Sequence, residues 1–390
     1  MRKWFVGLSI ILSLQLLLLS KDIDLSNLPL YTILPFILIL LSIAILPLVN
    51  VNWWQQNYPM IAAFISLPII IFLTFLKPYW LYYTALEYAS FIALIGSLYI
   101  ISGGIVIQEK LKISPYINTL ILIIGAILAN LIGTTGASLL LIRPLIKINK
   151  KRKSKVHIII FFIFIVSNIA GCLLPLGDPP LFLGLIKGLP FFWTFKLFPV
   201  WLFTNTILIT LFFIIDSISL KREGFVNNQK FHNKIKILGK RNFIFLLGII
   251  LITFIYSILP SSVDQPLQDS LQVLLMGTMV FLSLKITPSQ YRKENNFTWA
   301  PIKEVTILFG AIFVTIIPLL KILEIRGSEL GIQTAHQFFW STGVLSSFLD
   351  NAPTYLSFLS LGKNITANLL SVTPNISVIK LSDGLPISEH

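Results

Sequence analysis

The chain has 390 residues, 55% hydrophobic and 12% charged, with a formal net charge of +14 and a mean hydropathy of +0.85. A soluble domain carries roughly 25% charged residues, so this chain has too little polar surface to cover a water-soluble fold of its size. Its basic residues sit in short loops beside apolar runs; this is the positive-inside pattern of a membrane protein and argues against a nucleic-acid partner.

A bilayer span needs about 20 mostly apolar residues, and the chain supplies many. The N-terminus, MRKWFVGLSIILSLQLLLLS, has a basic start and an apolar stretch but no clear small-residue cleavage site, so it reads as an uncleaved first span over 4–20 rather than a signal peptide. Spans follow at 29–49, 59–76 and 80–107. After the basic loop QEKLKISPYIN comes an apolar stretch over 119–146, and then the strongly basic Lys147–Lys155. Spans at 157–186 and 191–217 precede Lys221–Arg241, which holds seven Lys or Arg. The last apolar stretches are 242–260, 268–286, 302–323 and 337–361.

Charge sets the topology. With Met1 in the cytoplasm, the loops 108–118, 221–241 and 287–301 fall inside. A single crossing by 119–146 would put Lys147–Lys155 outside, against the bias. The conflict disappears if 119–146 enters and returns as a re-entrant helical hairpin. The same count makes 337–361 a second hairpin, entering from the opposite side. The expected fold is an all-α polytopic membrane protein, an inverted-repeat transporter with two re-entrant helical hairpins and a broken helix. Its parts are N-terminal spans (1–50), a first repeat (51–220) with hairpin 119–146 and broken helix 157–186, a basic cytoplasmic linker (221–241), a second repeat (242–361) with hairpin 337–361, and a short tail (362–390).

Three motifs place polar groups at membrane depth. ANLIGTTGASLLLIRPLI (Ala129–Ile146) carries Asn130, Gly133, Thr134, Thr135, Gly136 and Ser138. Two glycines within four residues weaken a helix, and hydroxyls nearby can bind a cation or satisfy freed backbone. The plainer reading is a small-residue packing face using Gly133 and Ala137. SNIAGCLLPLGDPPLFLG (Ser167–Gly184) carries Ser167, Asn168, Gly177, Asp178, Pro179 and Pro180. Successive prolines in an apolar run break the helix near Gly177–Asp178, and a break exposes carbonyls at one half-helix end and N–H groups at the other. An acid in a span is costly unless solvated or paired, and desolvation favours its protonated form, which suits proton exchange. The plainer reading is that Asp178 caps the next half-helix. SSFLDNAPTYLSFLSL (Ser346–Leu361) brings Asp350, Asn351, Pro353 and Thr354; its plainer reading is a turn between spans.

Other polar residues read blandly. Glu87, Arg143, Lys187, Lys196 and Asp216 lie near span ends, and Trp53, Trp54, Trp80, Trp193 and Trp201 read as interfacial anchors. Cys172 is alone and the four His lack metal-ligand spacing. There is no Walker A loop, nucleophile elbow or soluble catalytic domain, so the expectation is a non-enzyme without cofactor.

The three motifs resemble the NhaD-type sodium/proton antiporters of the ion-transporter superfamily, which also holds citrate, dicarboxylate and arsenite carriers. The resemblance runs from Leu34 to Leu361, and its GDPP segment is the most specific part. It implies two inverted repeats, a bacterial inner membrane, a homodimer, and exchange of sodium or lithium for protons. It also implies ion- and proton-binding roles for Asn130, Thr134, Thr135, Ser138, Ser167, Asn168, Asp178, Asp350, Asn351 and Thr354. One departure stands out. The family continues after the second hairpin into a second broken helix, whereas here only GKNITANLLSVTPNISVIKLSDGLPISEH follows Leu361, so the chain reads as truncated. The expected function is therefore cation/proton antiport. A sodium-coupled carboxylate or arsenite-type carrier is the first alternative and a truncated, inactive remnant the second. The absence of Lys and Arg from the motif cores, against two Asp, favours a cation.

Overall fold

The computed structural model describes residues 28–109, 113–224, 235–259, 264–372, 378–380 and 386–388. The expected first span at 4–20 lies outside them. In chain order the elements are α1 (Leu34–Val49), α2 (Val51–Leu76), α3 (Pro78–Ser102), β1 (Val106–Glu109), α4 (Pro115–Ile148), α5 (Val156–Phe162), α6 (Pro179–Ile186) and α7 (Phe198–Arg222). Next come β2 (Ile235–Leu238), α8 (Asn242–Ile258), α9 (Gln265–Ile286), α10 (Ser289–Glu294), α11 (Ala300–Thr315), α12 (Ile317–Arg326), α13 (Ala335–Phe348), α14 (Asn351–Val372), β3 (Val378–Lys380) and β4 (Pro386–Ser388). Among the described residues seven helices are long and apolar enough to cross a bilayer. The fold is thus an all-α polytopic membrane protein.

Length alone misleads for α4. Its 34 residues would run roughly 50 Å if straight, at 1.5 Å per residue. Yet Asn118, at its start, and Asn149, just past its end, exchange side-chain hydrogen bonds of 3.1 and 2.8 Å. The helix therefore folds back on itself as a hairpin. A second hairpin forms from α13 and α14, where the rings of Phe338 and Phe358 lie 5.8 Å apart, although 20 residues of straight helix would separate them by roughly 30 Å.

The chain divides into two compact units. One takes in the described residues of Met1–Ala89, Ile186–Leu189 and Trp299–His390. Its core gathers Leu28, Ile69, Phe72, Leu73, Ile317 and Ile322, so α2 packs against the start of α12, and it holds the second hairpin. Here Lys187 meets Glu87 at 2.6 Å: two residues that read separately as span-end charges form one ion pair. The other unit takes in the described residues of Ser90–Leu185 and Pro190–Thr298 and holds the first hairpin. At the feet of that hairpin, Asp216 is fully buried; it accepts from Asn118 at 2.9 Å, pairs with Arg152 and lies 2.8 Å from His157. Asp216 is therefore a buried tie rather than a loose interfacial charge.

Several boundaries differ from the sequence reading; the helix expected from 59 begins already at Val51. The span expected over 80–107 ends at Ser102, and β1 then pairs antiparallel with β2, Val106 opposite Leu238, so the end of the basic linker is ordered by a short ladder of β-branched residues. The second hairpin also runs beyond Leu361, because α14 continues to Val372.

Candidate functional site

Gly133 makes the hairpin turn. Its φ of 77° and ψ of 153° lie where a Cβ is strongly disfavoured, and helix resumes on either side. A Cβ there would also sit 3.1 Å from the carbonyl oxygen of Leu176. Gly136, expected as a second break, is not one. It lies inside the second arm with helical backbone, and a Cβ on it would meet nothing closer than 3.5 Å.

The broken helix loosens in stages. After α5 the chain passes through a π-helical stretch (Ile163–Asn168) and a 3₁₀ turn (Ile169–Cys172), then runs without helix over 173–178 before α6. Stretches of π-helix inside α-helices concentrate at functional positions. Pro179 and Pro180 do not interrupt a helix; they open α6, where a missing N–H costs nothing. Pro353 likewise falls in the first turn of α14, and the second hairpin turns at Leu349–Asp350.

Unwound backbone at membrane depth must find partners, and here it finds them. The N–H of Leu173 donates to the Asn130 side chain at 2.9 Å. The carbonyl of Leu173 accepts from the Thr194 hydroxyl and that of Ala170 from the Trp201 indole N–H, each at 2.9 Å. The carbonyl of Gly177 accepts from the N–H of Thr134 at 2.9 Å, which pins the break to the hairpin tip. The two glycines of the break let the backbones meet: a Cβ on Gly177 would lie 2.0 Å from the carbonyl oxygen of Gly171.

Beside this junction is a small cavity of about 30 Å³, room for two or three water-sized bodies. Thr134, Thr135, Leu176, Gly177 and Asp178 line it, with Tyr99 on the wall and no Lys or Arg. Its walls are mainly apolar, but it collects a carboxylate, two hydroxyl-bearing side chains and unwound backbone, and oxygen donors of this kind suit a hard cation. Among the described residues no cluster of His, Cys, Asp and Glu could hold a transition metal. Ser138 and Ser167 meet at 2.8 Å and tie hairpin to broken helix, away from the cavity lining. Asn130 acts on the backbone, as above. Asn168 is exposed and does not line the cavity.

The second hairpin tip sits in the other compact unit. Asp350 accepts the Ala352 N–H on its side chain at 2.9 Å, and its carbonyl accepts from the buried Thr354 hydroxyl at 3.0 Å. This is a cap on α14; Asn351 is exposed beside it. Two residues escaped the sequence reading: Thr194, a lone hydroxyl, and Trp201, which read as an interfacial anchor. No sequence signal separates a Trp at the lipid surface from one capping a broken helix ten or more residues away in the fold.

No curated protein and no solved structure matches the chain. The family model CitMHS_2, described as "Putative citrate transport", matches residues 25–383, a stretch that includes both hairpins and the broken helix. With its apolar helices and that match over nearly its whole length, the chain belongs to this family and is an integral, multi-pass secondary transporter of the citrate and ion-transporter type.

Proposed function

We propose that the chain exchanges sodium or lithium for protons, with Asp178 as the carboxylate that holds either a cation or a proton. The observation that supports this reading is the small, mainly apolar cavity at the break, where Asp178 and two threonines supply the oxygens and no basic side chain enters. A carboxylate facing hydroxyls and unwound backbone binds a hard cation well; a proton on the same oxygen displaces it, and competition for one site yields exchange. In this proposal Thr134 and Thr135 complete the oxygen shell. Asp350, Asn351 and Thr354 serve the second half of the pathway, and Ser138, Ser167, Asn130 and Asn168 support the first. The membrane is a bacterial inner membrane.

A second reading is favoured by the family's description, citrate transport. There the same cation site couples ion entry to movement of a carboxylate. Inverted vesicles carrying the chain separate the two. Collapse of a preformed pH gradient on adding sodium, without citrate, supports antiport. Sodium-dependent citrate uptake with no such collapse sinks it.

A further inference from the structure

A second cavity lies in the unit that holds the first hairpin, where α8 begins and α9 ends. Its volume is about 330 Å³, and Gly239, Lys240, Arg241, Thr287, Pro288 and Tyr291 are among its lining residues. Helix α9 is long and apolar enough to cross a bilayer and α8 is a shorter apolar helix; the cavity opens where both give way to loop, which a span by α9 would set at the level of lipid headgroups. Lys240 and Arg241 are exposed, and among the described residues neither is joined to a carboxylate.

The cavity has a fixed frame. Buried Asn242 clamps its two sides, donating to Thr287 Oγ1 at 2.9 Å and to the Gly104 carbonyl at 3.1 Å, and accepting from Ser283 Oγ at 2.6 Å. Gly239, at φ 73°, packs so tightly on Gly104 that a Cβ would lie 2.0 Å from its carbonyl oxygen, which fixes where Lys240 and Arg241 leave the β-ladder. Behind this frame is a third cation. Arg292 is buried, donates to Ser283 Oγ at 2.8 Å and leaves its Nε without a partner. Next to the basic mouth the helices expose Phe243, Ile244, Leu284 and Ile286, an apolar wall of the kind acyl chains cover.

We propose that this cavity binds the phosphate headgroup of an acidic phospholipid, with Lys240 and Arg241 holding the phosphate and the exposed apolar residues of α8 and α9 holding the chains. Two exposed cations lining one framed cavity, with buried Arg292 behind the frame, fit an anion, and basic pockets between membrane helices suit phospholipid headgroups. The adjoining apolar wall selects a lipid over a free ion, because a soluble anion gains nothing from it.

The test uses the full chain in nanodiscs, with native mass spectrometry reading retained phosphatidylglycerol against phosphatidylcholine. The expected result is preferential retention of phosphatidylglycerol. Lys240→Gln with Arg241→Gln weakens it about 25-fold, at roughly five-fold per basic residue near an anionic surface. The pair Lys151→Gln and Lys153→Gln, which removes equal charge from another loop, leaves it unchanged, and so does added inorganic phosphate. Equal retention of both lipids, an equal loss in the control pair, or displacement by inorganic phosphate overturns the proposal, the last by showing a soluble-anion site. Fluorescence-detected size exclusion of each variant separates misfolding from lost binding, and Lys240→Arg, which keeps the charge, is expected to retain the lipid.

Discussion

Gly177→Ala gives a sharp test of how the hairpin tip meets the broken helix. The added methyl would lie 2.0 Å from the Gly171 carbonyl oxygen and 2.7 Å from its carbon. Both are backbone atoms that cannot swing aside as a side chain would. Overpacking of this kind costs about 1–3 kcal/mol. Relief requires the two strands of backbone to part, which breaks the 2.9 Å bond from the Thr134 N–H to the Gly177 carbonyl. An unsatisfied buried N–H adds about 1–3 kcal/mol. The sum, about 2–6 kcal/mol, is large against the marginal stability of folded proteins. The assay is thermal melting of purified protein in detergent, with Gly136→Ala in parallel. At Gly136 the methyl meets nothing within 3.4 Å and gains up to about 1 kcal/mol of helix propensity, so that variant should melt at or above wild type. The reasoning fails if both variants melt alike, since the seated junction distinguishes these two glycines.

Asn130→Ala leaves the Leu173 N–H buried without its partner and should cost about 1–3 kcal/mol, with hydrogen exchange rising first at residues 173–178. Trp201→Phe removes the donor to the Ala170 carbonyl but keeps an aromatic ring; a loss of about 1 kcal/mol is expected in the same melting assay, and none if Trp201 is only an interfacial anchor. Burial works against ionisation of Glu223, but the N–H groups of Lys153 and Ser154 and the Arg152 guanidinium outweigh it and hold the carboxyl below its ordinary range. A depressed carboxylate stabilises above its unfolded value and loses that contribution as pH falls through the folded one. The melting difference between wild type and Glu223→Gln should therefore shrink between pH 6 and pH 3; a constant gap would contradict this.

Most spans among the described residues are legible because membrane helices announce themselves through length and hydropathy; the span expected at 4–20 lies outside those residues, and the one expected at 242–260 is a shorter apolar helix. The first hairpin was legible through charge: Lys147–Lys155 could not sit on the far side at low cost, and Asn118 and Asn149 do meet. Asp178 at a break was legible because proline and glycine in an apolar run have few structural outcomes. The break was misattributed in detail. Pro179, Pro180 and Pro353 open helices rather than interrupt them, and Gly136 looks like Gly133 in sequence but is helical, because only one residue is needed to reverse direction. What sequence hid was partnership over distance. Trp201 and Thr194 cap carbonyls of a different element, Arg152 and His157 converge on Asp216, and Lys187 finds Glu87 across 100 residues. Local pattern carries no trace of such pairs, which exist only once the helices have packed.

The central claim is that Asp178 exchanges a cation for a proton. The most direct measurement is sodium-induced collapse of a preformed pH gradient in inverted vesicles, comparing wild type with Asp178→Asn at equal expression. Asparagine keeps the size and the ability to cap α6 but loses the titratable charge, so it separates capping from exchange. Wild type responding to sodium or lithium while Asp178→Asn does not is the predicted result; a well-expressed wild type that gives no response from pH 6 to 9 with either ion, or an Asp178→Asn chain that responds as wild type does, would contradict it.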